Sequence, residues 1–170
     1  MSRLTSCLAI TAILGLLTGC MNYRLGSMLP GDVHTVYMPT CVNQTTEPQI
    51  EQDVTRAILS QIQTDGTLRV APELEADSIL SVTITDFSLK PVAYKFGEGS
   101  TVNQYRMSIK ASFALRRRAD NSLIAESPAL VGWYDMDFAG DITSSKAVGL
   151  RPAAEDLGRR IVGKIVQYWP

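Results

Sequence analysis

Between Tyr105 and Leu115 the chain alternates without a break. Tyr105, Met107, Ile109, Ala111, Phe113 and Leu115 fall on one side of an extended backbone. Arg106, Ser108, Lys110, Ser112 and Arg116 fall on the other. Successive side chains of a strand point to opposite faces, so this period of two predicts a long strand with one face packed and one in water. Such a strand belongs in an antiparallel sheet covered on one side, because strands of parallel sheets are buried on both faces and read as continuous apolar runs. Arg117 to Asn121 then predicts a hairpin turn, with Asp120 and Asn121 as the residues that tolerate left-handed backbone. The returning strand runs from about Leu123 to Phe138, where Leu130, Gly132, Tyr134, Met136 and Phe138 alternate with Trp133, Asp135 and Asp137. Pro128 within it requires a bulge or a break, since proline donates nothing to the ladder.

The other elements follow from their own periods. Thr35 to Val42 is β-rich and reads as a first strand. Thr46 with Gln49 three residues on fits a capping box, and Pro48 suits a first helical turn. Ile50, Val54, Ala57, Ile58 and Ile62 then recur at helical spacing until Gly66 stops the helix. After a β-like piece from Leu68 to Ala71, a strand runs from Ser78 to about Lys90, with Leu80, Val82 and Ile84 on one face. Its apolar register then switches to Phe87 and Leu89, which predicts a bulge or an edge leaving the core. Residues 91–100, with Pro91, Gly97 and Gly99, read as a loop. A last helix covers about Pro152 to Tyr168, its stripe formed by Leu157, Ile161, Ile165 and Tyr168. Gly158 and Gly163 weaken it by about 1 kcal/mol each against alanine, so close packing on the sheet must compensate. The sum is an α+β fold: a two-layer sandwich with two helices on one face of a four-stranded, mostly antiparallel sheet.

The start of the chain is built differently. Arg3 precedes an apolar run from Leu8 to Leu17, interrupted by Thr11 and Gly15. The run is too short for about 30 Å of hydrocarbon and has the form of a secretory signal. It ends in Leu17-Thr18-Gly19-Cys20, which resembles the bacterial lipobox. The resemblance implies a signal peptide over 1–19, cleavage before Cys20, and acyl chains (palmitate among them) on that cysteine as the membrane anchor. Residues 20–31 would be a lipidated lead and 32–170 a single domain. Met21, rather than an inner-membrane-retaining aspartate, points to the outer membrane. Cys7 leaves with the signal and Cys20 is lipidated, so Cys41 has no partner for an internal disulfide. The mature chain has a net charge of −2, which gives no electrostatic footprint for nucleic acid.

Catalytic chemistry finds little to stand on. His34 is the single histidine and no Gly-x-Ser-x-Gly motif accompanies it. No cluster has metal-ligand spacing, and no metal or other cofactor is expected. Asp135 and Asp137 share a strand face, where polar residues on a wet sheet are the ordinary explanation. Gly97-Glu98-Gly99 lacks the third glycine and the strand-to-helix setting of a dinucleotide loop. The expectation is a protein that is not an enzyme. The basic residues carry more: Arg106, Lys110 and Arg116 project from one strand face, and Arg117 and Arg118 extend them at the hairpin. Such residues stop an exposed sheet from aggregating, and guanidinium forks also suit anionic lipid phosphates. Arg106, Lys110, Arg116 and Arg117 are therefore the candidate anionic-lipid contacts.

Several segments together resemble the LptE family of lipopolysaccharide-assembly lipoproteins. They are Cys20 with Tyr23-Arg24-Leu25-Gly26, Leu29-Pro30-Gly31, Met38-Pro39-Thr40-Cys41-Val42-Asn43-Gln44-Thr45, Glu47-Pro48-Gln49-Ile50-Glu51, and Ala76-Asp77-Ser78-Ile79-Leu80. These motifs cover about residues 20–90. Asn22 departs from the family's usual glycine and Cys41 from its usual aromatic. The resemblance implies two helices on a four-stranded sheet and a place at the periplasmic face of the outer membrane. It also implies a partner, the β-barrel translocon LptD, whose lumen the protein plugs while helping to place lipopolysaccharide in the outer leaflet. The competing expectation is a membrane-anchored binding module for a small molecule or envelope polymer, with a pocket between helices and sheet.

Overall fold

The computed structural model describes residues 29–95, 101–137 and 141–167. The signal segment 1–19, Cys20, Tyr23 to Gly26, Gly97 to Gly99, Phe138, Gly140 and Tyr168 lie outside the described residues. The elements run β1 (Thr35–Tyr37), β2 (Val42–Asn43), α1 (Ile50–Asp65), β3 (Arg69–Val70), β4 (Ser78–Lys95), β5 (Thr101–Arg117), β6 (Leu123–Asp137) and α2 (Ile142–Val166). The three long strands form an antiparallel meander, as the alternation predicts. The sheet is nonetheless six-stranded and mixed, not four-stranded and mostly antiparallel. Its order is β3-β1-β4-β5-β6, with β2 also on β4, and β1 pairs in parallel with both β3 and β4. Strands of two or three residues are too short to leave a period in the sequence.

The predicted first strand is two strands. Pro39 has no N–H to give, and the Cys41 amide donates instead to the Thr55 hydroxyl of α1 at 3.0 Å. Cys41 is buried by this turn inward, and burial pushes its thiol pKa up. The chain rejoins β4 at Val42 and Asn43, beside Thr83 and Ile84. Asn43 then organises the approach to α1. Its amide oxygen accepts from the Thr45 N–H and hydroxyl (2.9 and 2.8 Å), and its amide nitrogen donates to the Glu47 carbonyl and the Glu51 carboxylate (2.8 and 3.0 Å). The predicted capping box does not form: Gln49 is the N-cap, in left-handed conformation (φ 65°), with no side-chain cap bond. At the other end Gly66 (φ 76°) terminates the helix as expected, its N–H reaching the Ile62 carbonyl.

A second polar knot fixes β1 to β4. One Asp77 carboxylate oxygen accepts from the His34 amide, the Thr35 amide and the Thr35 hydroxyl at 2.8 to 3.0 Å. The His34 amide and then the Thr35 hydroxyl hold Asp77 below the usual carboxylate range. Buried Ser78 gives its hydroxyl to the Thr35 carbonyl at 2.8 Å. The motif Ala76-Asp77-Ser78-Ile79-Leu80 thus joins a backbone clamp to the first core residue of β4.

Along β4 the predicted register switch is a bulge at Thr85, between Ile84/Ala111 and Asp86/Lys110. It does not take the strand off the core: Phe87 and Leu89 come opposite Ile109 and Met107 on the apolar face. The strand continues to Lys95 where a loop is expected from residue 91, since beyond β2 it is an edge that tolerates Pro91. The hairpin turns with Asn121 in left-handed conformation (φ 58°), and the register shifts around Pro128 as its ring demands.

Both helices cover the same apolar face. Ile50, Val54, Ile58 and Ile62 of α1, and Ala153, Ala154, Leu157, Ile161 and Ile165 of α2, are buried together with Leu80, Ile84, Met107, Ile109 and Leu115 of the sheet. The last helix begins ten residues earlier than its apolar stripe suggests, with Pro152 inside it. Tertiary contacts hold these added turns: Lys146 pairs with Glu47 at 2.5 Å and sits over the Phe87 ring. Compensation for the helix glycines also differs from expectation. Gly158 packs on α1 rather than on the sheet, and Gly163 faces open space. Two other glycines admit α2 to the sheet: Gly132 of β6, where a Cβ would stand 2.4 Å from the Cβ and backbone nitrogen of Leu157, and Gly149 of α2, where one would stand 2.5 Å from the Met136 sulfur.

Replacing Gly132 by alanine must therefore push α2 away, at about 1–3 kcal/mol. Gly163→Ala has room and should stabilise by about 0.5–1 kcal/mol through helix propensity. Urea unfolding of the two variants should move the midpoint in opposite directions; a neutral Gly132→Ala would mean that the helix does not seat there.

Candidate functional site

The face of β4, β5 and β6 turned away from the helices is open. Its side chains lie in cross-strand rows set by the ladder: Lys90, Arg106 and Asp135; Ser88, Ser108 and Trp133; Asp86, Lys110 and Val131. Further along come Thr83 with Ser112, then Ser81, Ala114 and Glu126. Around Pro128 the bulge and these small side chains leave a depression of about 340 Å³. Cross-strand neighbours on one face are close enough to interact, and the first row does so. Arg106 grips Asp135 with two bonds of 2.7 Å, and its guanidinium carbon lies 4.3 Å from the centre of the Trp133 ring. The Arg106 bond holds the Asp135 carboxyl below its ordinary range. Trp133 is 40% exposed and Val131 42%, so the row of charges borders an apolar strip.

The four candidate basic residues do not form one cluster. Arg106, Lys110 and Arg116 share the open face as expected, with Lys110 exposed. Arg116, however, stands ten residues along β5 from Arg106, roughly 33 Å at strand rise, and donates to the Asn121 carbonyl at 3.1 Å. Arg117 turns the other way: it is ion-paired with Asp32 and lies 3.9 Å from Asp120. Arg118 donates to the Ala76 carbonyl at 2.7 Å. These two hairpin arginines tie the turn to the chain before β1 and before β4. Trp133 and the pairing of Asp135 are the features that alternation alone did not single out. Asp137 meets Gln104 at 3.4 Å, and His34 uses its backbone rather than its ring in the contact to Asp77. Among the described residues no group of three or more His, Cys, Asp or Glu could hold a metal ion, and no helix is long and apolar enough to cross a membrane.

Fold and surface together define a small two-layer α+β scaffold: one face sealed by helices, the other a polar and aromatic platform. Solved structures share that fold. PelC from Paraburkholderia phytofirmans, described as a dodecamer, is 15% identical with a TM-score of 0.52, over 85% of this chain and 94% of its own. A Xanthomonas campestris protein is 10% identical with a TM-score of 0.57, over 85% and 88%. A minor lipoprotein of Acinetobacter baumannii is 10% identical with a TM-score of 0.51, over 79% and 93%. No curated protein sequence matches significantly. The LptE lipopolysaccharide-assembly family matches residues 33–166, from just before β1 to the end of α2. The chain belongs to the LptE family, and the match extends well past the motifs of residues 20–90 to the hairpin and the last helix.

Asp135 supplies a check on the platform. A carboxylate with a lowered folded pKa contributes stability above its unfolded pKa, near 3.9, and loses it as pH falls through the folded value. In Arg106→Ala the carboxyl should titrate at higher pH than in the wild type, read by NMR of the Asp135 side chain. Trp133 fluorescence should become more open to acrylamide quenching. An unmoved Asp135 titration would mean that the pair does not persist in solution.

Proposed function

We propose that this LptE-family protein is a non-catalytic outer-membrane lipoprotein that binds an LptD-like β-barrel and helps to deliver lipopolysaccharide to the outer leaflet. In this reading residues 1–19 are removed, Cys20 carries the acyl chains, residues 20–31 lead from the periplasmic face of the membrane, and 32–170 is one domain. The family match over residues 33–166 carries the proposal. The open face supports it: Arg106 and Lys110 offer charge beside Trp133 and Val131, a mixture suited to a phosphorylated glycolipid. Arg116 and Arg117, at the hairpin end, would be a separate contact, because Arg116 stands far along β5 and Arg117 turns off the open face to Asp32. A second reading, a membrane-anchored module for a small molecule or envelope polymer, is favoured by a cleft of about 220 Å³ between α2 and the sheet, lined by Phe87, Met107, Lys146 and Leu150.

Detergent extraction of cells expressing tagged protein should co-purify a large β-barrel with the wild type. Cys20→Ala should abolish acylation, read as loss of incorporated labelled palmitate, and Arg106→Glu with Lys110→Glu should reduce recovered lipopolysaccharide while keeping the barrel. Reproducible absence of any barrel from cross-linked material would overturn the barrel reading in favour of the binding module.

A further inference from the structure

We propose that the notch where α1 and α2 cross is a binding site for a phosphate-bearing group. The site goes beyond the function proposed above, since it uses neither the open sheet face nor the chain before β1. Ala57 lines its base, where the helices cross: a Cβ on Gly158 would lie 3.1 Å from the Ala57 carbonyl oxygen, so the two backbones nearly touch. Long side chains on either side of this crossing stand above a shallow floor and enclose a cleft of about 220 Å³. Arg56 from α1 and Arg151 and Arg159 from α2 rim it, with Ser60 contributing a hydroxyl and Asp53 and Glu155 also on its lining.

The charge around this cleft is unevenly answered. Its lining carries Arg56, Arg151 and Arg159 against Asp53 and Glu155, in a chain whose formal net charge is −1. Asp156 is shared three ways. One oxygen takes the Trp133 amide at 3.1 Å and Arg160 at 2.7 Å, and the other takes Arg159 at 3.2 Å. Arg159 therefore has only part of a carboxylate, and the positive excess borders the cleft. Arg56 and Arg151 are held by Asp53 and Glu155 at 3.0 Å within their own helices, with side chains 72% and 83% exposed. Exposed pairs of that kind contribute little and exchange readily for a better partner. A phosphate offers guanidinium forks an anionic acceptor with more oxygens, and can draw these arginines inward from their weak partners. A soluble phosphate ester and a lipid headgroup present the same chemistry here.

Full-length protein in non-ionic detergent, titrated with inorganic phosphate against chloride at matched ionic strength, tests the site through arginine side-chain NMR resonances. The expected result is a saturable shift confined to Arg56, Arg151 and Arg159. It should weaken by about tenfold or more in Arg151→Gln with Arg159→Gln, for the loss of two charge-assisted contacts, and be unchanged in Arg69→Gln. All these residues are exposed, and circular dichroism verifies that the variants fold. The same arginine resonances, read with phosphatidylglycerol against phosphatidylcholine added to the detergent micelles, then separate the sources. A phosphatidylglycerol shift that is lost in the double variant assigns the site to lipid headgroups; no such shift, with the inorganic phosphate shift intact, assigns it to soluble esters. Shifts that rise linearly, spread over Lys164 and Arg69, or persist in the double variant would overturn the proposal. None of these readouts depends on a barrel or on lipopolysaccharide.

Discussion

Much of this molecule's geometry follows from one contact between a helix backbone and a strand. At Gly132 the edge strand β6 presents no side chain, and Leu157 of α2 comes down onto the backbone itself. At that depth Asp156, the neighbouring residue, can reach the Trp133 amide on the strand, so a helix side chain answers a donor that an edge strand leaves unpaired. The same seating puts Gly158 against the Ala57 carbonyl, which positions α1. Helix depth, helix spacing and protection of the sheet edge are thus linked, and a larger residue at Gly132 disturbs all of them.

Because both helices occupy one face, the other must remain stable in contact with water. It does so with pairs rather than with bulk. Arg106 is held by Asp135 and lies on Trp133, so a basic and an aromatic side chain stay out in solvent without inviting another sheet. The edges are managed as well: β3 has only two residues, and β6 is interrupted at Pro128. A surface of this kind keeps charge and aromatic area in solvent without offering another sheet a continuous apolar strip.

The long strands, both helices and the apolar face were legible in the sequence because each spans many periods of its pattern. The parallel edge was not, since β1, β2 and β3 each offer three residues or fewer. The N-terminal turns of α2 were hidden for a different reason: Pro152 and the Gly149 region argue locally against helix, and Lys146 with Glu47 overrides them from far along the chain. The site was half legible. Alternation put Arg106 and Lys110 on the wet face, but the partner of Arg106 depends on a bulge. Carrying the Leu115–Ala125 register unchanged along the hairpin sets Tyr134 opposite Arg106; the extra residue near Pro128 brings Asp135 there instead. The direction of Arg117 could not be read either, because Asp32 is distant in sequence and meets it only through the fold.

That last pair has a mechanical consequence. Any pull on the chain upstream of Asp32 would, without it, fall on β1 and on the Asp77 knot that holds His34 and Thr35. Arg117 diverts part of the pull into the end of β5, the strand flanked on both sides by long antiparallel partners, and Arg118 braces the same corner against the Ala76 carbonyl. A pull on the leading segment would thereby be shared between β1 and the middle strand of the meander.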